Sequence, residues 1–325
     1  VIPGDLPSKI VTEFMEELAS PLHKLLKNIT QSAVWPKQYK IEHVTPIGKI
    51  PLPQSEDDIR PISMTAFFSK IMEQFVVTWL IEIIGNKMDF RQYGGTRGNS
   101  ICHYLIEFLN FILHQQESES TAVLACLVDF SKAFNRQDHN ILIAKLSDLG
   151  VPGWLLKLVV AFLEFRSMRV KSLPRGGPQG TLLGLFLFLV LVNDAGYENQ
   201  VNNAGELITK KKVKELNVIH LKYVDDLSLA ESIDMNSQLS QVPVDERPQP
   251  DMYRARTGHV LKTEESKVFD QLKQIEEYAK DNHMKINVAK TKLMLFNPCT
   301  SKDFMPEISL IDTRIDLVEQ TKLLG

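Results

Sequence analysis

The chain has 325 residues, 44% of them hydrophobic, 24% charged and a formal net charge of -3. That is enough apolar material for a sizeable core in one large or two coupled domains. Most nucleic-acid-binding domains are more basic than this, so the overall charge argues weakly against such a partner and local clusters matter more. Three cysteines (Cys102, Cys126, Cys299) stand far apart, without metal spacing, which argues against a disulfide framework and for a reducing compartment. The longest apolar run, Leu182 to Val192, is far short of the roughly 20 residues that span a bilayer.

Apolar residues at helical spacing (Ile10, Phe14, Leu18, Leu22, Leu25, Ile29) predict a helix over 9–30, ended by Trp35 and Pro36. Residues 41–50 are β-branched and read as a strand. Residues 51–58 form a polar loop, and Ser63 caps a helix running to about Ile84. A glycine-rich loop at 93–100 precedes a helix over 101–114. The run AVLACLVDF (122–130) is continuous apolar sequence ending in one acid, as expected for a buried central strand. Helices follow over 139–149, 153–165 and 180–192. VIHLKYVDDLSLA reads as strand, tight turn, strand. Residues 235–262 are polar, with no period, and read as a mobile loop. An amphipathic helix from Ser266 and a strand-like KINVAKTKLMLF complete the pattern.

Two basic clusters, Arg166 with Arg169, Lys171 and Arg175, and Lys210 to Lys212 with Lys214, are candidates for phosphate contact, with a solvated basic loop as the alternative. The acid pair Asp225–Asp226 carries more chemistry. Two adjacent carboxylates resist burial unless a cation compensates them, and Mg²⁺ takes one or two carboxylates plus substrate phosphates. Alone, the pair reads first as a solvent-exposed turn. Asp129, at the tip of a central strand, changes that: if its strand and the Asp225 strand are neighbours, the carboxylates converge as two-metal phosphoryl transfer requires.

The motifs carry a resemblance that nearly spans the chain. CLVDFSKAFNRQDHNILIAKL, GGPQGTLLGLFLFLVLVND and YVDD resemble the first three palm motifs of non-LTR (LINE-type) retrotransposon reverse transcriptases, and MKINVAKTKLMLF resembles the fourth. VTPIGK and DIRPISMTAFFSKIMEQ resemble their fingers motifs, and VEQTKLLG the start of the primer grip. The resemblance implies an α+β right-hand polymerase: a fingers region over 1–115 and a palm over 116–325, with part of 136–190 packing toward the fingers and an antiparallel palm sheet backed by helices.

It also implies residue roles. Asp129 and Asp225 are expected to be the main metal ligands, with Asp226 supporting. Lys290 would protonate the leaving pyrophosphate. Phe134 would block a ribose 2′-OH, Gln179 and Gly180 would pack beside the nascent base pair, and Arg60, assisted by Lys49, would grip the incoming triphosphate. Two Mg²⁺ ions are implied as cofactors, with Mn²⁺ as an alternative. The implied partners are an RNA template, a DNA primer and a dNTP, in the nucleus or cytoplasm and away from membranes.

Three departures from the family pattern stand out. Asn135 occupies a position that is often Asp. The stretch FRSMRVKSLPRGGPQG leaves hardly any second strand for the usual β-hairpin before Pro178. Both chain ends look like cuts through a longer polypeptide, and thumb and endonuclease regions, not read in these residues, are expected in that parent polypeptide. Two other readings stay open: a non-catalytic nucleic-acid-binding remnant, favoured by the short stretch, and a viral RNA-dependent RNA polymerase, against which Phe134 argues.

Overall fold

The computed structural model describes residues 8–52, 54, 59–117, 121–168, 171–172, 181–195, 218–234, 266–296, 308–311, 313–318 and 321. In chain order these form α1 (Ser8–Glu13), α2 (Met15–Ser32), β1 (Ile41–Gly48), β2 (Ile59–Met64), α3 (Phe67–Ile84), α4 (Ile101–Gln115) and β3 (Thr121–Val128). There follow α5 (His139–Asp148), α6 (Gly153–Leu163), β4 (Ser167–Met168), β5 (Lys171–Ser172) and α7 (Leu182–Leu191). The remainder is β6 (Val218–Tyr223), β7 (Asp226–Asp234), α8 (Lys267–Asp281), β8 (Lys292–Phe296), β9 (Ser309–Leu310), β10 (Thr313–Arg314) and β11 (Asp316–Leu317). The chain folds into two compact units, one of residues 1–88 and 134–192, the other of 89–133 and 193–325. Helix α4 therefore belongs with β3, across the boundary expected at 115.

The first unit packs helices beside a small sheet of order β2-β1-β4-β5. Its centre is α7, whose residues Leu183 to Leu191 are buried apart from Leu185. This is why the sequence shows an unbroken apolar run and no helical stripe. Thr181 caps α7, its hydroxyl accepting from the Gly184 amide at 3.1 Å. Trp35, 1% exposed, closes the core edge-on to Phe162, with ring centroids 5.1 Å apart.

Three expectations fail in this unit. Ser63 caps no helix: it lies in β2, and its hydroxyl donates to the Glu42 carboxylate at 2.6 Å, while α3 begins at Phe67 without a side-chain cap. Arg166 is no phosphate contact, because its guanidinium is buried and donates to Glu42 at 2.6 Å and to the Phe162 carbonyl at 3.2 Å. The hairpin expected to be missing is present in minimal form: Ser167 pairs with Ser172 and Met168 with Lys171, and β4 adds in parallel to β1. Two residues per strand suffice because β1 supplies the sheet they extend. The mobile-loop reading of 235–262, and the basic residues Arg169, Arg175 and 210–214, lie outside the described residues.

The second unit is built on a mixed sheet of order β11-β8-β3-β7-β6. The central place of β3 explains its continuous apolar sequence, since neighbours and helices cover it on every side. Pairing is antiparallel throughout except at the edge, where β11 lies parallel to β8, a departure from the wholly antiparallel sheet expected. On one face α4 contributes Tyr104, Phe108, Phe111 and Ile112 to a core with Val123, Ala125, Ile219, Leu221 and Ala230. The Tyr104 hydroxyl, in that core, shares a hydrogen bond with Ser228. Helix α8 packs on β7 and β3 through Val268, Leu272, Ile275 and Ala279, all buried. It is held by Glu231, whose carboxylate accepts from the Ser266 hydroxyl and the Lys267 amide. Among the described residues, no helix is long and apolar enough to cross a membrane.

Candidate active site

The antiparallel register of β3 and β7 ends with Val128 opposite Leu227, so the next residue, Asp129, faces Asp226. On the other flank β3 pairs with β8 up to Leu127 opposite Lys292; beyond that pair the chain leading into β8 turns at 287–291, and Lys290 in that turn acts on the Asp226 carboxyl. Strands β6 and β7 close with Tyr223 opposite Asp226, leaving Val224 and Asp225 as a two-residue turn. Three carboxylates and one ammonium thus stand at one end of the sheet, brought there by the strand pairing and by the turns at 224–225 and 287–291.

The acids act on one another electrostatically. Burial raises the Asp226 carboxyl, and the charges of Asp225 and then Asp129 raise it further; Lys290 partly offsets them, and the result stands at about 6. A carboxyl so displaced marks a candidate functional cluster.

The backbone of Asp129 is held from the 285–291 segment. Its carbonyl accepts from the Asn287 amide at 2.7 Å, and its amide donates to the Thr291 hydroxyl at 3.5 Å. Thr291, fully buried, in turn donates to the Asn287 carbonyl at 2.9 Å. One residue later, Phe130 bridges Ile286 and the Ser131 amide donates to the Lys285 carbonyl. This turn seats Lys290 beside the acids and fixes where β3 ends.

Beneath the Asp225 turn lies a buried charge cluster that sequence reading missed. Asp89 receives Lys222 at 2.8 Å and Arg91 at 3.1 Å. Burial alone would raise the Asp89 carboxyl, but the two cations overcome it and hold the group well below the usual carboxylate range. Lys222, fully buried, also donates to the Asn193 carbonyl at 2.8 Å. Burial lowers its ammonium, against the pull of Asp89. A lysine alternating with apolar residues in a strand looks like a solvent-facing position; only the partner 133 residues away shows that it points inward.

The other expected site residues belong to the first unit. Arg60, exposed in β2, pairs with Ile47 of β1, and Lys49 follows the end of β1 at the same tip of the hairpin. Phe134 is half-buried and stacks on Phe188 of α7. Gln179 and Gly180 lie outside the described residues.

Among the described residues, no group of three or more His, Cys, Asp or Glu side chains is placed to hold a metal ion. The donors nevertheless fit a hard divalent cation. All are carboxylate oxygens, their mutual repulsion at Asp226 is only partly offset by Lys290, and Mg²⁺ ordinarily completes its shell with water and substrate phosphate.

The sequence model of the family described as "Reverse transcriptase (RNA-dependent DNA polymerase)" matches residues 50–245. Curated relatives include a probable RNA-directed DNA polymerase from transposon BS of Drosophila melanogaster, 29% identical over 52% of this chain and 20% of its own length. The RNA-directed DNA polymerase from mobile element jockey of the same organism is 26% identical over 70% of this chain and 25% of its own length. The jockey polymerase of Drosophila funebris is 28% identical over 49% of this chain and 18% of its own length. The chain thus spans about a fifth to a quarter of the relatives it matches, and the resemblance to LINE-type enzymes read from its motifs holds.

Proposed function

This chain belongs to the reverse transcriptase (RNA-dependent DNA polymerase) family, and on that premise we propose that it carries the nucleotidyl-transfer centre of a LINE-type retrotransposon polymerase. The reaction is attack of a primer 3′-hydroxyl on the α-phosphate of a dNTP, with pyrophosphate leaving and an RNA strand as template. The single observation that carries the reading is the convergence of Asp129, Asp225 and Asp226 at one end of the β3–β7–β6 sheet, with Lys290 beside them.

The second unit corresponds to a palm, and the first to fingers. In the palm, Asp129 and Asp225 would hold the divalent cations, Asp226 supporting them. When bound, those ions supply Lewis acidity toward the attacking hydroxyl and charge compensation for the leaving pyrophosphate. Lys290 offers a proton to the leaving group from an exposed position in the 285–291 turn. Arg60 and Lys49 present two cations at one hairpin tip, suited to a triphosphate. Gln179 and Gly180 would line the nascent base pair. RNA template, DNA primer and dNTP are the partners of this reading. The support for a non-catalytic remnant weakens, because the β4–β5 hairpin whose absence motivated it is present.

The test is dNTP incorporation on a primed RNA template with Mg²⁺ or Mn²⁺, in wild type and Asp225→Asn. The variant keeps the shape of the turn and removes one ligand charge. It should lose more than about 100-fold in kcat, beyond the usual loss on removing an outer-shell partner of a metal ligand. Equal extension by the variant would refute the assignment. Preference for NTPs over dNTPs would turn the reading toward an RNA polymerase.

A further inference from the structure

We infer that Gln92 is a positioning residue that clamps the backbone of the Val224–Asp225 turn and so sets where the Asp225 carboxylate stands. The inference rests on the polymerase reading for its consequence but on the second unit's own geometry for its substance.

The turn needs a clamp. Val224 sits at φ 58°, in the left-handed region. A β-branched residue rarely adopts that conformation, and it persists only where the surroundings over-determine it. Gln92 supplies the constraint. Its side-chain oxygen accepts from the Val224 amide at 2.9 Å, and its side-chain nitrogen donates to the Val224 carbonyl at 3.4 Å. One side chain therefore satisfies both backbone polar groups of the strained residue, as a neighbouring strand would. The same oxygen accepts from the Gly94 amide at 3.0 Å, which ties the clamp to its own loop.

That loop is built to hold Gln92 still. Gln92 is 2% exposed and runs as an isolated parallel bridge beside Lys222. The Lys222 amide donates to the Arg91 carbonyl at 3.0 Å and the Tyr93 amide to the Lys222 carbonyl at 2.8 Å. The Gln92 carbonyl accepts from the Thr96 hydroxyl at 2.9 Å and from the Asn99 side chain. The buried ion pairs of Asp89 with Arg91 and Lys222 anchor both strands of the arrangement from below. Gly94 lets the loop come close enough: a Cβ there would lie 2.6 Å from both the Val224 amide nitrogen and its Cγ2. The glycine is required for approach, and the glutamine uses the approach.

A turn held at both its N–H and C=O has one position, and Asp225 is the next residue. Loss of the clamp should leave the sheet intact, free the turn to relax toward ordinary φ, and displace the carboxylate. Displacement of about 1 Å at a reacting centre costs on the order of 100-fold in rate.

Two variants of the full chain test this. Gln92→Met keeps the length and burial of the side chain and removes all three bonds. Gly94→Ala keeps the glutamine and forces the loop off the turn. In each, hydrogen exchange of the Val224 amide should quicken roughly tenfold while the amides of Thr121–Val128 exchange as in wild type. In each, kcat for dNTP incorporation should fall roughly 10- to 100-fold, with KM for dNTP held within about threefold. Unchanged exchange at Val224, or wild-type kcat in a variant whose Val224 exchange has quickened, overturns the inference. If Gln92→Met fails to fold, Gly94→Ala decides by the same readouts. If wild type itself incorporates no dNTP, the polymerase reading is what fails, and the exchange measurement still judges the clamp.

Discussion

The ring of Phe134 stacks on that of Phe188, with centroids 4.5 Å apart and planes 25° from parallel. One face of Phe134 is therefore committed to the apolar helix α7, while the side chain as a whole stays half-exposed. A flat ring fixed from behind is suited to act as a wall, and a wall is what discrimination against a 2′-hydroxyl needs. Phe134→Ala should lower stability by about 2–4 kcal/mol, through lost burial and lost stacking. It should also raise ribonucleotide incorporation relative to deoxyribonucleotide. Denaturant melts and a competition assay measure the two effects, and a folded variant with unchanged sugar preference would leave the ring a packing role alone.

The displaced carboxyl of Asp226 predicts a pH dependence of stability in the metal-free protein. Its folded value of about 6 lies above its ordinary value near 4. Between those values the folded chain binds more protons than the unfolded chain, so stability falls as pH rises through the window and then levels off. Asp226→Asn should flatten the curve and melt higher than wild type at pH 7. Lys290→Met removes the one charge that lowers the group, so the fall should extend to higher pH. A melting-temperature profile between pH 4 and pH 6 that is the same in wild type and Asp226→Asn would contradict the arrangement.

Divalent cation should relieve the same repulsion. A ligand that binds only the folded state at ten times its Kd stabilises by about 1.4 kcal/mol. Mg²⁺ should therefore raise the melting temperature of wild type at pH 8, and Asp129→Asn should abolish most of the rise. Equal stabilisation of both proteins would move the ion elsewhere.

Arg166 and Glu42 form a buried ion pair whose carboxylate also accepts from Ser63, joining β1, β2 and the end of α6. Arg166→Ala strands the Glu42 charge in the interior and should cost roughly 3–5 kcal/mol. Replacing both residues by methionine should recover much of that loss, because no unpaired charge remains. Chemical denaturation of the single and double variants distinguishes this pin from a surface contact, for which the single change would be nearly silent.

The sequence by itself determined the order of most elements and the family. Apolar periodicity located α4, α7 and α8 to within a few residues, the unbroken run before Asp129 announced a central strand, and the two short apolar segments flanking Asp225–Asp226 announced a hairpin. Such signals are local, since burial on all sides or on one face is written into neighbouring residues. What only the tertiary structure decided depends on partners distant in the chain. Ser63 looks like a helix cap until β1 pairs with its strand, and Arg166 looks like a phosphate contact until Glu42 is found 124 residues away. The β4–β5 hairpin was too short to read because its stability comes from β1. Lys222 and Gln92 show no pattern of their own. They acquire meaning where Asp89 neutralises one inside the fold and the strained backbone of Val224 meets the other, for a buried polar group is explained only by the partner that satisfies it.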